Sequence, residues 1–124
     1  MSKKILIIDD APVIRELLSE VLVDLGYIVD TAVNGKIGSD MALSDNYELI
    51  FCDVHMPIMG GVNAVIRIKE GKPEIPIIMT DSFPDKDAEL AGKAGAICCL
   101  TKPFDLNELR RIITKLLCKE TKVP

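Results

Sequence analysis

The chain is predicted to fold as one α/β domain in which a parallel sheet carries helices on both faces. Three observations predict this class. At 124 residues the chain is long enough for one core, and apolar runs alternate with segments of helical periodicity five times along it. Four of these runs are almost wholly apolar, as is typical of strands buried on both faces. Because a parallel crossover needs a helix to return the chain, the alternation favours a doubly wound sheet.

The five predicted strands differ in how apolar they are. The run at 27–33 mixes Asp30 and Thr31 with apolar residues, which predicts an edge strand. The other runs are bounded by charged residues, Pro or Gly, and they predict buried strands at 5–8, 49–52, 75–79 and 96–100.

The first and last helices have the clearest patterns. A helical stripe of apolar residues follows Pro12 and ends before Gly26, which are typical start and stop residues. A second stripe covers 106–117, where Asp105 and Glu108 resemble a capping box. Weaker patterns predict the remaining helices at 36–44, 62–70 and 85–94.

Composition excludes several classes of function. The formal net charge of -4, from 15 basic and 19 acidic residues, disfavours direct binding to nucleic acid. The first apolar run reaches Asp9 too soon for a signal peptide, and no run is long enough to span a bilayer. We therefore expect a cytoplasmic protein without membrane contact.

The four cysteines show no CxxC spacing, and three of them lie in or beside apolar runs. We expect buried, reduced side chains in preference to a redox or metal role. The residues concerned are Cys52, Cys98, Cys99 and Cys118.

Polar side chains gather at the predicted carboxyl ends of the strands, where open parallel sheets bind ligands. Asp9 and Asp10 follow the first strand and Asp53 follows the third. Three crowded carboxylates repel one another unless a cation lies among them, and oxygen ligands of this kind suit Mg²⁺. In the alternative interpretation, Asp9 and Asp10 only cap the first helix, which leaves Asp53 unexplained.

Thr80 after the fourth strand and Lys102 after the fifth complete the set. With a metal present, the Asp53 carboxylate can attack phosphorus and form an acyl phosphate. A hydroxyl and an ammonium group nearby would hold the phosphoryl oxygens. Thr80 or Lys102 alone would be an ordinary strand or surface residue, so the prediction depends on their combination.

Four motifs in this order, ILIIDD, LIFCDVHMPIMGG, PIIMTD and GAICCLTKPF, resemble the receiver domains of bacterial response regulators over nearly the whole chain. The resemblance implies a flavodoxin-like sheet with strand order 2-1-3-4-5 and five flanking helices. It also implies a receiver domain at 1–118 and a short tail or linker stub at 119–124.

The resemblance assigns the phosphoacceptor to Asp53, which makes the chain a signalling switch rather than a turnover enzyme. Mg²⁺ would be bound directly by Asp10, through water by Asp9, and by the Asp53 carboxylate and the backbone carbonyl of His55. The exposed His55 ring is expected to modulate access of the attacking water rather than to act as an acid or base.

Thr80 matches the family's switch hydroxyl, and Lys102 matches the lysine that pairs with the phosphoryl group, with a cis peptide before Pro103. The implied phosphodonor is a sensor histidine kinase or a phosphotransfer protein. The implied target is a downstream effector protein or output domain. Family members also form homodimers through the fourth helix, fifth strand and fifth helix.

Three residues depart from the family pattern. Asp81 replaces a small residue, and its charge is expected to slow phosphorylation or alter the phosphate-binding site. Cys99 replaces an aromatic residue, so the aromatic rotamer switch is missing and the signal would pass through Thr80 and the loop after it. Gly60 replaces an acidic residue, with a modest expected effect.

Three other functions remain open at this stage. An aspartyl-phosphate phosphatase would need a second Asp where His55 stands, together with a cap domain. A flavin-binding electron carrier would need a hydroxyl- and glycine-rich loop where DDAPV stands. A phosphate-independent interaction module is favoured by Asp81 and Cys99 and opposed by the complete set of site residues.

Overall fold

The computed structural model describes residues 3–83 and 85–117, in which five strands and five helices alternate as predicted. Within those ranges no helix combines the length and the apolar character needed to cross a membrane. In chain order the elements are β1 (Lys4–Ile8), α1 (Pro12–Asp24), β2 (Ile28–Ala32), α2 (Gly35–Ser44), β3 (Leu49–Asp53), α3 (Gly61–Gly71), β4 (Ile77–Asp81), α4 (Lys86–Ala94), β5 (Cys98–Thr101) and α5 (Leu106–Leu117).

All strand pairs are parallel, and the sheet order β2-β1-β3-β4-β5 confirms the predicted order. β2 lies at an edge, as its mixed composition predicted. The prediction of a buried strand at 96–100 was wrong, because β5 pairs only with β4, lies at the other edge and is only partly buried. Asp53 on β3 lies in register with Thr80 on β4, and Asp81 lies in register with Thr101 on β5. The carboxyl ends of these strands therefore meet at one edge of the sheet.

Alternate strand residues contact different helices. On β3, Leu49 and Phe51 pack in the core formed with α1 and α5, whereas Ile50 and Cys52 pack in the core formed with α2, α3 and α4. By the same alternation, Asp53 belongs to the α1/α5 face, whereas Asp81 follows Met79 onto the α2–α4 face. This difference in direction separates two groups of acidic residues at the sheet edge.

The predicted bounds of two strands were wrong. β4 begins at Ile77 rather than at 75, because Ile75 donates to the Lys72 carbonyl in a turn and Pro76 has no N–H. β5 begins at Cys98 rather than at 96, because the Ala96 N–H closes the end of α4. Strands β3 and β4 also extend one or two residues further than predicted, so Asp53 and Thr80 lie within strands and not after them.

The helix ends largely agree with the sequence signals. Pro12 opens α1, and Gly26 beyond its end has a φ of 99°. Asp105 Oδ1 accepts from the Glu108 N–H at 3.2 Å at the start of α5. Asp85, predicted as the first residue of α4, is instead its N-cap and accepts from the Asp87 N–H at 2.9 Å.

The cysteines are less uniformly buried than predicted. Cys52 is buried, but Cys98 and Cys99 are only half-buried, since β5 is an edge strand. All three are free thiols. Cys118 and the predicted tail at 119–124 lie outside the described residues.

Candidate functional site

Two buried carboxylates share one ammonium group at the carboxyl edge of the sheet. Lys102 Nζ donates to Asp9 Oδ2 at 3.0 Å and lies 3.3 Å from Asp53 Oδ1. Asp9 is 1% exposed and Asp53 is 6% exposed. We refer to Asp9, Asp53 and Lys102 as the lysine cluster, which brings together three of the residues that the sequence predicted.

Backbone contacts fix Asp9 in this position. Its Oδ1 accepts from the Ala11 N–H at 2.9 Å, and its own N–H donates to the Ala32 carbonyl at 3.0 Å. Ala11 is the N-cap of α1 and no side chain caps that helix, so the interpretation of Asp9 and Asp10 as helix caps is wrong.

Arg15 also holds Asp9, and sequence reasoning missed it. Its Nη1 donates to the Asp9 carbonyl at 2.8 Å. A basic residue in the first turn of a helix opposes the helix dipole, and this was the available signal for a specific contact. Arg15 therefore orients the loop between β1 and α1 without entering the lysine cluster.

Asp10 adds an exposed carboxylate to the two buried ones. Oxygens of Asp9, Asp10 and Asp53 all lie within 4.8 Å of one another. Burial and the Asp9 charge raise the pKa of Asp53 to about 6, although Lys102 opposes the shift. A divalent cation would relieve this repulsion, and an all-oxygen donor set fits Mg²⁺.

Lys102 keeps its positive charge in this setting. Burial lowers the pKa of Lys102, but the hydrogen bond to Asp9 and the charges of Asp9 and Asp53 outweigh that effect. The net pKa is raised above the ordinary lysine value. The cluster thus contains a permanent cation at neutral pH.

Thr80 and the peptide after Lys102 complete the predicted set. Thr80 lies beside Asp53 on the neighbouring strand, is 1% exposed, and its carbonyl accepts from the Val54 N–H at 3.0 Å. The Lys102-Pro103 peptide is cis, as expected. Every predicted site residue lies at the same edge of the sheet, while their individual roles stay predictions.

Asp81 and His55 lie beside this cluster. Together with Asp53 and Lys102 they line a cavity of about 370 Å³. Asp81 Oδ1 accepts from the Phe83 N–H at 3.3 Å, and its Oδ2 lies 3.6 Å from His55 Nε2. The Asp81 charge therefore reaches the cavity, as the sequence suggested, but its free oxygen faces the imidazole.

Cys99 and Gly60, the other two residues that differ from the family pattern, lie in different surroundings. Cys99 is half-buried beside Met79 on β4, and burial together with Asp81 raises the pKa of its thiol. A Cβ at Gly60 would lie 3.4 Å from the Val54 carbonyl oxygen, an ordinary contact, so the chain there has room for a side chain. At Gly61 a Cβ would instead collide with the Asp53 carbonyl oxygen, so this close approach requires glycine.

Comparison with known proteins identifies relatives over nearly the whole chain. Residues 5–114 match the model of the response regulator receiver domain family. The chain is 35% identical over 118 residues to chemotaxis protein CheY of Halobacterium salinarum, which covers 94% of this chain and 98% of that protein. It is 32% identical over 123 residues to the probable transcriptional regulator ycf29 of Pyropia yezoensis, covering 97% of this chain but only 55% of that longer protein.

Solved structures give the same result. Response regulator protein TrrA from Thermotoga maritima, solved in complex with Mg(2+)-BeF, superposes with a TM-score of 0.85 and is 36% identical. The match covers 93% of this chain and 99% of TrrA. The sheet order, the acidic cluster and these matches agree, and the chain belongs to the response regulator receiver domain family.

Proposed function

We propose that this receiver domain accepts a phosphoryl group on Asp53, with Mg²⁺ as the metal ion, and that phosphorylation switches the binding of a partner protein. One observation carries the proposal. The oxygens of Asp9, Asp10 and Asp53 converge within 4.8 Å, and Lys102 Nζ lies 3.3 Å from Asp53 Oδ1. This arrangement offers a nucleophile, a metal site and a fixed cation in one place.

The donor set for the metal comes from three segments of the chain. Asp10 is assigned as a direct ligand, Asp9 as a ligand through water, and Asp53 and the His55 backbone carbonyl as the remaining protein ligands. When bound, Mg²⁺ neutralises carboxylate charge and draws electron density from the phosphoryl oxygens. The similar TrrA was solved in complex with Mg(2+)-BeF, which supports Mg²⁺ as the metal ion.

The chemical step is transfer of a phosphoryl group between two nucleophiles. An Asp53 carboxylate oxygen forms a bond to phosphorus while the bond from phosphorus to the donor breaks, and the donor leaves with the bonding electrons and takes up a proton. The Asp53 pKa of about 6 leaves its carboxylate ionised at neutral pH. Lys102 Nζ and the Thr80 hydroxyl then hold the phosphoryl oxygens.

The switch step follows from the same contacts. A phosphoryl group on Asp53 gives Lys102 and Thr80 a new anionic partner. This stabilises the conformation in which both contact it and shifts a pre-existing equilibrium. Because Cys99 is not aromatic, the signal passes through Thr80 and the loop between β4 and α4.

The partners are assigned by class. A sensor histidine kinase or a phosphotransfer protein supplies the phosphoryl group, and a downstream effector protein or output domain reads the switch. Exposed apolar residues lie on α4, before β5 and on α5, namely Leu90, Ile97 and Leu106. They suit a protein contact, including a homodimer through this face, better than direct contact with nucleic acid.

We also propose a cytoplasmic location and the extent of the receiver domain. The three described cysteines are free, which suits the reducing cytoplasm. The receiver domain is assigned to 1–118 and a short tail or linker to 119–124. Relatives such as ycf29 are longer than this chain, so an output activity would belong to a separate domain and not to the receiver domain itself.

Intact-protein mass after incubation with acetyl phosphate and Mg²⁺ tests the proposal. We expect the chain to gain the mass of one phosphoryl group, and to lose that gain in Asp53→Asn or without Mg²⁺. Asp24→Asn is a matched control, because Asp24 is an exposed carboxylate at the end of α1. A folded chain that binds Mg²⁺ but gains no mass would overturn the proposal and favour a phosphate-independent interaction module.

A further inference from the structure

A second cluster of titratable side chains lies at the mouth of the same cavity. His55 Nε2 is 3.7 Å from Asp85 Oδ2, and His55 Nδ1 is 3.8 Å from Asp87 Oδ2. One donor atom each of His55, Asp85 and Asp87 lies within 4.8 Å of the other two. We refer to His55, Asp81, Asp85 and Asp87 as the histidine cluster.

Asp81 supplies an independent sign that a cation belongs here. It is 4% exposed, and its Oδ2 is buried without a hydrogen-bond partner among the described residues. That oxygen lies 3.6 Å from His55 Nε2, too far for a hydrogen bond. Lys102 Nζ is already engaged by Asp9 and Asp53. A buried carboxylate oxygen left unpaired is costly unless a ligand completes it.

Asp81 and Asp85 each use one carboxylate oxygen for a hydrogen bond to the backbone and direct the other toward His55. Asp81 Oδ1 accepts from the Phe83 N–H, and Asp85 Oδ1 accepts from the Asp87 N–H as the cap of α4. In each case the backbone fixes one oxygen and leaves Oδ2 toward the imidazole. The buried Asp81 oxygen is thus held in position before any ligand arrives, whereas the exposed Asp85 oxygen can still move.

We propose that the histidine cluster is a second metal site, which binds a first-row transition metal ion of the Zn²⁺ class through His55 Nε2, Asp81 Oδ2 and Asp85 Oδ2. Ligands of a tetrahedral Zn²⁺ ion lie about 3.3–3.5 Å apart, given bonds of about 2.0–2.2 Å. The distances from Nε2 to the two oxygens, 3.6 and 3.7 Å, are close to this spacing. Asp81 does not belong to the group whose donor atoms all lie within 4.8 Å of one another, so the exposed Asp85 carboxylate would turn toward Asp81 when the ion binds. The imidazole nitrogen distinguishes this site from the all-oxygen Mg²⁺ site.

Asp87 is assigned as a positioning residue. Its Oδ2 lies on the Nδ1 side of the ring, at 3.8 Å, where it can accept from the N–H that a metal-bound imidazole carries there. A carboxylate in this position fixes the orientation of the ring and increases its basicity as a ligand. Loss of Asp87 should therefore weaken metal binding less than loss of a ligand.

A metal ion in this site would join the loop after β3 to the start of α4 across the cavity. His55, Asp81 and Asp85 line this cavity together with Asp53. The ion would therefore restrict access to the phosphoacceptor, a consequence that rests on the proposed function. The binding site itself does not rest on it, because no step of phosphoryl transfer enters the argument for it.

The test uses the only histidine of the chain as its reporter. Tag-free full-length protein in excess Mg²⁺ is titrated with Zn²⁺, and the His55 imidazole resonances are followed by ¹H–¹³C NMR. We expect them to shift and saturate at one equivalent. Asp81→Asn and Asp85→Asn should each weaken binding at least tenfold, and the second variant should stay folded because asparagine also caps helices well. Asp87→Asn should weaken binding about threefold to tenfold.

Glu89→Gln is the matched control, because Glu89 is an exposed acid on the same helix outside the cluster. It should leave the titration unchanged. Zn²⁺ bound by thiols would not move the imidazole resonances. The proposal is overturned if these resonances do not move, if excess Mg²⁺ abolishes the shift, or if folded Asp81→Asn and Asp85→Asn bind as tightly as the natural chain.

Discussion

The lysine cluster and the histidine cluster lie side by side at the carboxyl ends of β3 and β4, but their positive charges differ. The Lys102 side chain is 13% exposed and lies 3.0 and 3.3 Å from carboxylate oxygens of Asp9 and Asp53. The His55 side chain is 53% exposed and lies 3.6 to 3.8 Å from its three carboxylates. One cluster has a built-in ammonium cation, and the other has an exposed imidazole in its place.

This difference decides which ligand each cluster can take. With Lys102 and a metal ion present, the lysine cluster can receive an anionic phosphoryl group next to Asp53. In the histidine cluster the unpaired Asp81 oxygen favours a cation and disfavours an anion. Both groups of aspartates can thus hold a metal ion, but only the group that contains Lys102 can also receive an anion.

The largest effect is expected from removing the built-in cation. Lys102→Met leaves Asp9 buried and unpaired, so the free energy of unfolding should fall by about 3 kcal/mol. Phosphoryl acceptance should fall at least about 100-fold. Urea unfolding and the phosphorylation rate measure the two effects. Lys93→Met, at an exposed position of α4, should change stability by no more than about 0.5 kcal/mol; equal effects of the two variants would contradict this account of Lys102.

The next largest effect on stability is expected at the end of the loop between β3 and α3. Gly61→Ala forces a Cβ against the Asp53 carbonyl and should lower the free energy of unfolding by about 2 kcal/mol. Gly60→Ala meets no such contact at a φ of -77° and should change it by less than about 0.5 kcal/mol. Urea unfolding of both variants compares them, and equal losses would disprove the close approach.

Asp53→Asn should stabilise the metal-free protein at neutral pH by about 1–2 kcal/mol. The folded pKa of about 6 exceeds the ordinary value of 3.8, so the folded chain binds the Asp53 proton more tightly than the unfolded chain. Stability of the natural chain therefore decreases as pH rises from about 4 to 6, and the advantage of the variant disappears below that range. Urea unfolding as a function of pH measures it.

Mg²⁺ should reverse that order, because it binds the folded natural chain more tightly than the variant. If Asp53→Asn were less stable than the natural chain in the absence of metal, the cost inferred for the buried Asp53 charge beside Asp9 would be wrong.

The smallest effect is expected at the histidine cluster. Asp81→Asn keeps the acceptor for the Phe83 N–H and replaces the unpaired carboxylate oxygen with a neutral amide NH₂, which is less costly to bury, so the metal-free protein should gain about 1 kcal/mol. Stabilisation by Zn²⁺ should be lost at the same time. Thermal unfolding with and without Zn²⁺ measures both changes. A destabilised variant that still responds to Zn²⁺ would show that Asp81 has another partner.

The lysine cluster could be predicted from the sequence because its members follow from strand ends. Once apolar runs fix the parallel strands, Asp9, Asp53 and Lys102 are brought together by topology alone. The starts of β4 and β5 could not be fixed in this way, because Ile75 and Ala96 continue the apolar pattern although their N–H groups bond into turns.

The histidine cluster could not be predicted, since it depends on side-chain direction and on the placement of α4. Asp81 alternates to the other face of the sheet from Thr80, and a single residue of register decides that direction. The sequence pattern indicated Asp85 as the first residue of α4 rather than as its N-cap. The isolated histidine two residues after Asp53 and the unusual Asp81 were the available signals, and neither reveals its neighbours.

The most direct test of the central claim is to locate the phosphoryl group. Protein phosphorylated with acetyl phosphate and Mg²⁺ is reduced with borohydride, which converts an aspartyl phosphate to homoserine, and the chain is then mapped by peptide mass spectrometry. We predict homoserine at position 53 alone, with the neighbouring aspartates unmodified. Homoserine at position 9, 10 or 81, or none in a protein that has gained a phosphoryl group, would contradict the assignment of Asp53 as the phosphoacceptor.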